Sequence, residues 1–559
     1  MRKFRRIIGL GLTLGLLAFT TACDNKDNKT TEKDDNKVTI VDDNNNDNNN
    51  DNIIDNNDDN IIDNNDDNNN EDNNENDSEL VGPVYEKGLS SKDYNFEQEF
   101  FFDDYNKRSV ADTNRQGVEV FTDKDIIFDA ITYEELISIL ESEGKYLFFF
   151  GGSWCHNTRA AAPYINSIAK EYGVEKIYNF DFYLDGTNGS THVRNSSPVD
   201  PKNTTTNVGV DYNFLYVELV RKYLTNLDDF VEYDVTNSSA LKFNEKGYNP
   251  ETDEQTIIPK LQVPFLFYYD KDNAEGPIVN AFEEMVDLDA NGIYKGKNAD
   301  GSRKYITSTY ETNIHGFFDS IKNSEGTVTL TDYSDKDYII NTYNSKARKE
   351  IFALDSQINI QVITYRQLDW LLNQEGNSII LLGGTWCGNT QASIKPFNDF
   401  AVENDVIIYN FDTKLDSGIG KSKLGYSEAH IRESETKLTS LYVDLIEKYF
   451  TNIVTLYDVN STKSSQYISL TKDEVTNKVN KLQVPYLLSY NKDALDEDGE
   501  KAPITAYYEE MLSLSQTSKT YVYSETNYKS IQDNTNHVIH TYLKRIGECP
   551  EEVAEDTCH

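Results

Sequence analysis

Apolar and polar positions along most of the chain form runs that predict strands separated by helices. Tyr146–Phe150 and Ser378–Leu382 are predominantly apolar runs of strand length, and a Gly-Gly pair follows each of them. Short apolar runs that end at glycine are typical of buried strands. The segment 214–224 instead carries apolar side chains at helical spacing. Because the predicted strands and helices alternate and two strands come close together late, we expect parallel pairing followed by an antiparallel hairpin.

The same order of elements occurs twice, which indicates a duplication rather than a short-period repeat. The matching segments are collinear, and the first pair aligns without gaps. They are 131–158 with 363–390, 177–181 with 408–412, 215–227 with 441–453, 260–272 with 481–493, and 282–285 with 508–511. Each copy predicts a βαβαββα core, so the fold class is α/β with two homologous domains.

The start of the chain, 1–23, has the layout of a secretory signal. Four basic residues precede the apolar run Ile7–Phe19, and that run is too short to span a bilayer stably. Thr20-Thr21-Ala22-Cys23 resembles the lipobox of bacterial lipoproteins, in which the cysteine receives acyl chains such as palmitate and becomes the mature N-terminus. The resemblance implies anchoring to the outer face of the cell membrane through Cys23. An ordinary cleavable signal peptide is the alternative.

The segment 24–80 is unlike the rest of the chain. It holds 21 Asn and 20 acidic residues and almost nothing that could be buried. Such a composition predicts a disordered linker, which as a flexible coil would reach on the order of 40 Å. We interpret it as a spacer between membrane and folded domains, which then occupy 81–330 and 331–559.

The charge excludes one class of function. The formal net charge is −42, of which the signal contributes +4, the linker −16 and the remainder −30. An acidic surface without a basic stripe repels phosphate groups, so we expect no nucleic-acid partner. The five Cys and seven His do not fall at paired ligand spacings, and we expect no metal and no cofactor.

The residues after each Gly-Gly pair carry a resemblance to the thioredoxin fold. They read Ser-Trp154-Cys155-His-Asn-Thr158 and Thr-Trp386-Cys387-Gly-Asn-Thr390, with a proline inside the following helix and a later Val-Pro pair. The Val-Pro pairs are Val263-Pro264 and Val484-Pro485. In thioredoxins a Trp-Cys-X-X-Cys turn begins a helix, and a cis proline faces the first sulfur. The resemblance implies two tandem thioredoxin-like domains in which Trp154 and Trp386 shield the sites and the Val-Pro pairs shape a peptide groove.

The chemistry expected of such a site follows from its position at a helix N-terminus. Unpaired backbone N–H groups and the helix dipole favour the thiolate form of a cysteine, which is the nucleophile. Thr158 and Thr390 lie one turn later, where a hydroxyl could donate to the sulfur. We therefore take Cys155, Cys387, Thr158 and Thr390 as the candidate catalytic residues.

Two departures from the thioredoxin pattern limit this chemistry. Threonine replaces the second cysteine in both copies, so neither domain can close a disulfide within its own motif. The buried acid that thioredoxins carry six positions before the first cysteine is replaced by Phe149 and Leu381. Three functions remain open: monothiol exchange with protein or small-molecule thiols and disulfides, a redox-inactive binding module, and a surface or adhesive lipoprotein.

The acidic C-terminal tail contains the last two cysteines. Cys549 and Cys558 lie close together in the sequence, and outside the cytoplasm they are expected to form a small-loop disulfide. The sequence does not indicate an oligomeric state.

Overall fold

The computed structural model describes the folded part of the chain with several gaps. The described residues are 95–111, 119–186, 193, 213–231, 240–244, 255–283, 307–417, 430–432, 439–455, 467–472, 475–509 and 525–547. They all belong to one compact unit that spans 80–559. The predicted signal with Cys23, the Asn/Asp-rich linker, and Cys549 and Cys558 lie outside the described residues.

The elements of the first repeat contain the predicted βαβαββα order, with a helix, a strand and a second helix in front of it and two further strands inserted before its last two strands. They are α1 (Phe96–Ala111), β1 (Phe128–Ala130), α2 (Tyr133–Glu141), β2 (Lys145–Phe150), α3 (His156–Glu171), β3 (Ile177–Phe180), α4 (Asn213–Lys222), β4 (Ala240–Asn244), β5 (Gln255–Pro259), β6 (Phe265–Asp270), β7 (Ile278–Glu283) and α5 (Thr307–Ile321).

The second repeat reproduces this order element by element. Its elements are α6 (Asp335–Ala347), β8 (Ile360–Ile363), α7 (Tyr365–Leu371), β9 (Ser378–Leu382), α8 (Gly388–Glu403), β10 (Ile408–Phe411), α9 (Thr439–Lys448), β11 (Tyr467–Lys472), β12 (Val475–Asn480), β13 (Tyr486–Tyr490), β14 (Ile504–Glu509) and α10 (Glu525–Ile546). The leading helices correspond in detail. In each, an asparagine (Asn106 or Asn344) accepts two backbone N–H groups and donates to a carbonyl of the segment that follows the helix.

Both sheets are mixed and have five strands in equivalent order. The first is ordered β1-β3-β2-β6-β7 and the second β8-β10-β9-β13-β14. The β1–β3–β2 pairs are parallel, whereas β6 runs antiparallel to β2 and to β7. The strands β4 and β5 form a separate two-stranded sheet, as do β11 and β12. The prediction of an α/β chain with two thioredoxin-like domains is confirmed.

The central strands are buried on both faces because helices cover each sheet on both sides. Every residue from Tyr146 to Phe150 is at most 1% exposed. In the register of β2 with β6, Phe148 lies opposite Phe267, and their rings stack with centroids 5.1 Å apart. A strand covered on both faces needs apolar residues at consecutive positions, which explains why these runs do not alternate.

Helix α1 joins the two repeats. Phe96 on α1 stacks on Tyr409 of β10 and meets the ring of Trp370 edge-on at 5.3 Å. The Glu97 carboxylate accepts from the Ala130 backbone N–H in the first repeat and from the Gln367 side chain in the second. Aromatic packing and buried hydrogen bonds therefore hold the repeats together. No described helix is both long enough and apolar enough to cross a membrane.

Candidate functional site

Each candidate cysteine occupies the N-cap of the helix that follows the Gly-Gly pair. Cys155 precedes α3 and Cys387 precedes α8, with backbone φ of −85° and −88°. The Cys387 backbone N–H donates to the Gly384 carbonyl, and its own carbonyl accepts the first helical hydrogen bond from Gln391. This tight turn places the side chain at the positive end of the helix, as the sequence predicted.

The Val-Pro pairs face the two sulfur atoms. The Val263–Pro264 and Val484–Pro485 peptide bonds are both cis. The Cys387 thiol donates to the Val484 carbonyl oxygen at 3.3 Å. The corresponding distance from Cys155 Sγ to the Val263 oxygen is 3.7 Å. The structure thus brings cysteine and Val-Pro segment together in both repeats, although they are far apart in the sequence.

The two cysteines differ in state and accessibility. Cys155 is 1% exposed and disulfide-bonded. Cys387 is a free thiol with intermediate exposure. Because a nucleophilic sulfur must be both reduced and accessible, Cys387 is the one of these two that meets the conditions.

The candidate threonines are buried, and neither bonds to a sulfur. Thr158 and Thr390 are both fully enclosed, and their hydroxyl oxygens have no hydrogen-bond partner among the described residues. Each side chain instead packs against the first glycine of the Gly-Gly pair. A Cβ at Gly151 would lie 2.7 Å from the Thr158 hydroxyl oxygen, so a glycine is required there.

The sequence reasoning missed a carboxyl group beneath each tryptophan. The Trp154 indole N–H donates to Asp181 at 2.7 Å, and that of Trp386 donates to Asp412 at 2.8 Å. Both aspartates directly follow the third core strand of their repeat, β3 or β10. The signal was present, because Asp181 and Asp412 end the repeated segment Ile-Tyr-Asn-Phe-Asp.

Both carboxyl groups have pKa values above the ordinary range of an aspartate. Burial raises the pKa of Asp181 to about 7 and that of Asp412 to about 7, although the indole hydrogen bonds act in the opposite direction. The second oxygen of Asp412 is buried and has no hydrogen-bond partner among the described residues. A Cβ added to Gly384 would lie 2.2 Å from this oxygen, which is too close for any side chain and explains the second glycine of the pair.

A tyrosine hydroxyl is buried near each site. Tyr105 on α1 and Tyr343 on α6 are equivalent residues, and neither hydroxyl has a hydrogen-bond partner in the described part of the chain. Burial raises the pKa of Tyr343, and the nearby Asp412, Glu134 and Cys387 raise it further. The phenol therefore remains neutral at physiological pH.

Side chains behind each turn hold its backbone in place. Arg159 of α3 donates to the carbonyl oxygens of Ser153 and Trp154, and Gln391 of α8 donates to that of Thr385. The segment before each cis proline is held similarly. Glu283 accepts the Gln262 backbone N–H at 2.6 Å, and Glu509 accepts that of Gln483 at 2.6 Å.

The second site is bordered by cationic side chains. The Lys414 ammonium lies 4.1 Å from the centre of the Trp386 ring, and the His430 ring meets that indole edge-on. The Arg432 guanidinium donates to His430 and to the Leu482 carbonyl oxygen, just before the Val-Pro segment. In the first repeat the position of Lys414 is taken by Tyr183, which meets Trp154 edge-on. Lys414, Arg432 and the Asp412 carboxyl thus all lie beside the free thiol.

A metal centre needs several His, Cys, Asp or Glu side chains that converge on one point. Among the described residues, no group of three or more such side chains is arranged to hold a metal ion. The reactive groups that the two sites do present are the thiol, the two carboxyl groups and the surrounding hydrogen-bond donors.

Comparison with known proteins yields structural neighbours only. Neither a protein-family model nor a curated protein matches the chain. Among solved structures it is similar to the crystal structures of ERdj5 form II and form I and of full-length ERdj5, at 10%, 9% and 9% sequence identity, each with a TM-score of 0.14. These matches cover 74%, 73% and 73% of this chain but only 30%, 30% and 31% of the ERdj5 chains.

Proposed function

We propose that this protein is a lipid-anchored, extracytoplasmic, thioredoxin-like protein whose second domain performs monothiol exchange at Cys387. One observation carries the proposal: Cys387 is a free, partly exposed thiol at a helix N-terminus, 3.3 Å from the carbonyl oxygen that precedes a cis proline. A helix N-terminus stabilises the thiolate, and the adjacent carbonyl marks where an extended peptide would lie.

The exchange step needs a disulfide substrate. The Cys387 thiolate attacks one sulfur of that disulfide, a new sulfur–sulfur bond forms, and the substrate bond breaks. The other substrate sulfur leaves as a thiolate and takes up a proton. Because Thr390 replaces the second cysteine of the motif, the mixed disulfide is released by an external thiol, which becomes disulfide-bonded to the substrate.

In this proposal the Thr390 hydroxyl stabilises the thiolate form of Cys387. The hydroxyl is buried, and it has no partner among the described residues while Cys387 is a thiol. Upon ionisation of the sulfur, the hydroxyl one turn along α8 donates to the thiolate.

The substrate lies along the Val484–Pro485 segment. Proline has no N–H, and the Val484 carbonyl points at the sulfur, so an extended peptide can pair with this edge as an added strand. The half-exposed Lys414 ammonium lies over the Trp386 ring at the edge of the groove. We therefore propose a disulfide-containing peptide or small molecule that carries a negative charge.

The first domain has a different role. Cys155 is enclosed and already disulfide-bonded, which favours a binding or structural module over exchange at that site. Anchoring through acylated Cys23 and a long acidic linker would hold both domains away from the membrane surface. The support for this arrangement is the basic and apolar segment that ends at Cys23, followed by the Asn/Asp-rich sequence of 24–80.

The exchange function is tested by trapping the intermediate. The full chain is incubated with a synthetic anionic peptide disulfide and analysed by mass spectrometry after acid quenching. We expect one peptide adduct on Cys387, absent from Cys387→Ser and retained in Cys155→Ser. If the wild-type chain forms no adduct, or forms it no faster than an unstructured cysteine peptide, the proposed function is wrong.

A further inference from the structure

The turn that carries each cysteine is contacted by the other repeat. Glu134 is the second residue of α2 in the first repeat, and Arg366 is the second residue of α7 in the second. The two positions are equivalent in the duplication. The Glu134 side chain extends directly to the Gly-Gly-Thr-Trp-Cys turn of the opposite repeat, whereas Arg366 reaches the Gly-Gly-Ser-Trp-Cys turn through Asp104 of α1.

Glu134 makes the direct contact. The Thr385 hydroxyl, two residues before Cys387, donates to the Glu134 carboxylate, with its oxygen 3.0 Å and 2.8 Å from the two carboxylate oxygens. Tyr338 donates to the same carboxylate at 2.7 Å, and the Lys346 ammonium is 3.3 Å away. Glu134 is 3% exposed and Thr385 is 1% exposed. A buried, charge-assisted hydrogen bond of this kind fixes the position of both groups.

Arg366 makes the equivalent contact through one intermediate. Its guanidinium donates to Asp104 of α1 at 2.8 Å and 2.5 Å, and Asp104 accepts from the Ser153 hydroxyl. Ser153 is the counterpart of Thr385, two residues before Cys155. The contacts are therefore reciprocal, although the residues at the equivalent positions have opposite charge.

We propose that Glu134 of the first repeat is a positioning residue for Cys387 of the second. The carboxylate holds Thr385, and Thr385 belongs to the turn closed by the hydrogen bond from the Cys387 N–H to the Gly384 carbonyl. The second site is therefore complete only when the first repeat is docked against it. This inference rests on the proposed exchange at Cys387.

The test measures that exchange from the opposite repeat. The rate of Cys387 adduct formation with the anionic peptide disulfide is followed from pH 5 to pH 9 in Glu134→Gln and in Thr385→Val. Thr385→Val removes the donor and should slow the reaction about fivefold at pH 7, the effect of one buried hydrogen bond. Glu134→Gln keeps an acceptor but loses the charge, so it should slow the reaction by a smaller factor, and each variant should displace the pH profile. Thr385→Ser keeps the hydroxyl and should restore the wild-type rate.

The double variant and a matched control identify the cause. Because both changes weaken the same bond, Glu134→Gln with Thr385→Val should be no slower than Thr385→Val alone. Glu141→Gln alters another glutamate of α2, whose carboxylate pairs with Lys222 at the surface, and should leave the rate unchanged. Wild-type rate and pH profile in both Glu134→Gln and Thr385→Val would overturn the inference while leaving exchange by wild-type Cys387 intact. An unreactive wild-type chain would instead refute the proposed function.

Discussion

Asp412 makes the stability of the protein depend on pH in a direction opposite to that of most aspartates. An unfolded aspartate has a pKa of about 3.9, whereas burial raises the pKa of native Asp412 to about 7. Between these values the unfolded chain is ionised while the native carboxyl keeps its proton. The stabilisation from this group is therefore complete below about pH 4 and is lost as the pH rises to about 7.

The size of the effect follows from the separation of the two pKa values. One pKa unit corresponds to about 1.4 kcal/mol, so a separation of about three units gives about 4 kcal/mol. Because the side chain retains some contact with solvent, we expect about 2–4 kcal/mol. Asn at this position still accepts the Trp386 N–H but cannot ionise, so Asp412→Asn should abolish this part of the pH dependence.

The assay is urea unfolding of the wild type and Asp412→Asn at pH 5 and pH 8. Other buried carboxyls, including Asp335 with its pKa raised to about 7, contribute to both proteins and cancel in the comparison. Because about two of the three pKa units lie between pH 5 and pH 7, the wild type should lose about 1.5–2.5 kcal/mol more than the variant between the two pH values. Equal losses would refute the reasoning, because Asp412 would then titrate alike in the folded and unfolded chains.

Three further substitutions test separate parts of the structure. Thr390→Val replaces a buried hydroxyl that has no partner among the described residues with a methyl group. Urea unfolding should therefore show equal or about 1 kcal/mol greater stability, while exchange at Cys387 becomes slower. A clear loss of stability would mean that the hydroxyl is hydrogen-bonded while Cys387 is a thiol. Gly384→Ala puts a Cβ 2.2 Å from the Asp412 carboxylate and should lower the free energy of unfolding, measured by thermal unfolding, by more than about 2 kcal/mol. The control Gly316→Ala, in open space on α5, should leave the free energy of unfolding unchanged or raise it. Phe148→Ala removes a fully buried ring and should lower the free energy of unfolding in urea by about 3–5 kcal/mol. A decrease below about 1 kcal/mol would contradict the packing of β2 against β6.

The fold could be predicted from the sequence because its signals are local and occur twice. Apolar runs such as Tyr146–Phe150 identified the central strands, and the gapless match between 131–158 and 363–390 showed that both copies share them. The leading helix α1 was missed. The sequence offset that relates Asn106 to Asn344 is larger than the one that relates Cys155 to Cys387, so a gapless alignment stops before it reaches this helix.

The site was predicted in its outline but not in its supporting contacts. The cysteines, tryptophans and Val-Pro pairs recur as motifs, and the structure brings each set together. Asp181 and Asp412 were not predicted because the thioredoxin pattern places its buried acid six positions before the cysteine, whereas these carboxyls follow the neighbouring strand. The contact of Glu134 with Thr385 depends on how one repeat docks on the other, and hydrophobic periodicity carries no information about docking.

The most direct test of the account is the second-order rate of thiol–disulfide exchange at Cys387 in the intact chain at pH 7. The rate with the anionic peptide disulfide should exceed that of an unstructured peptide thiol by at least about tenfold, because a peptide bound along the Val484–Pro485 segment is held against the sulfur. It should also vanish in Cys387→Ser. A rate equal to that of the free peptide, or one that survives in Cys387→Ser, would contradict the central claim.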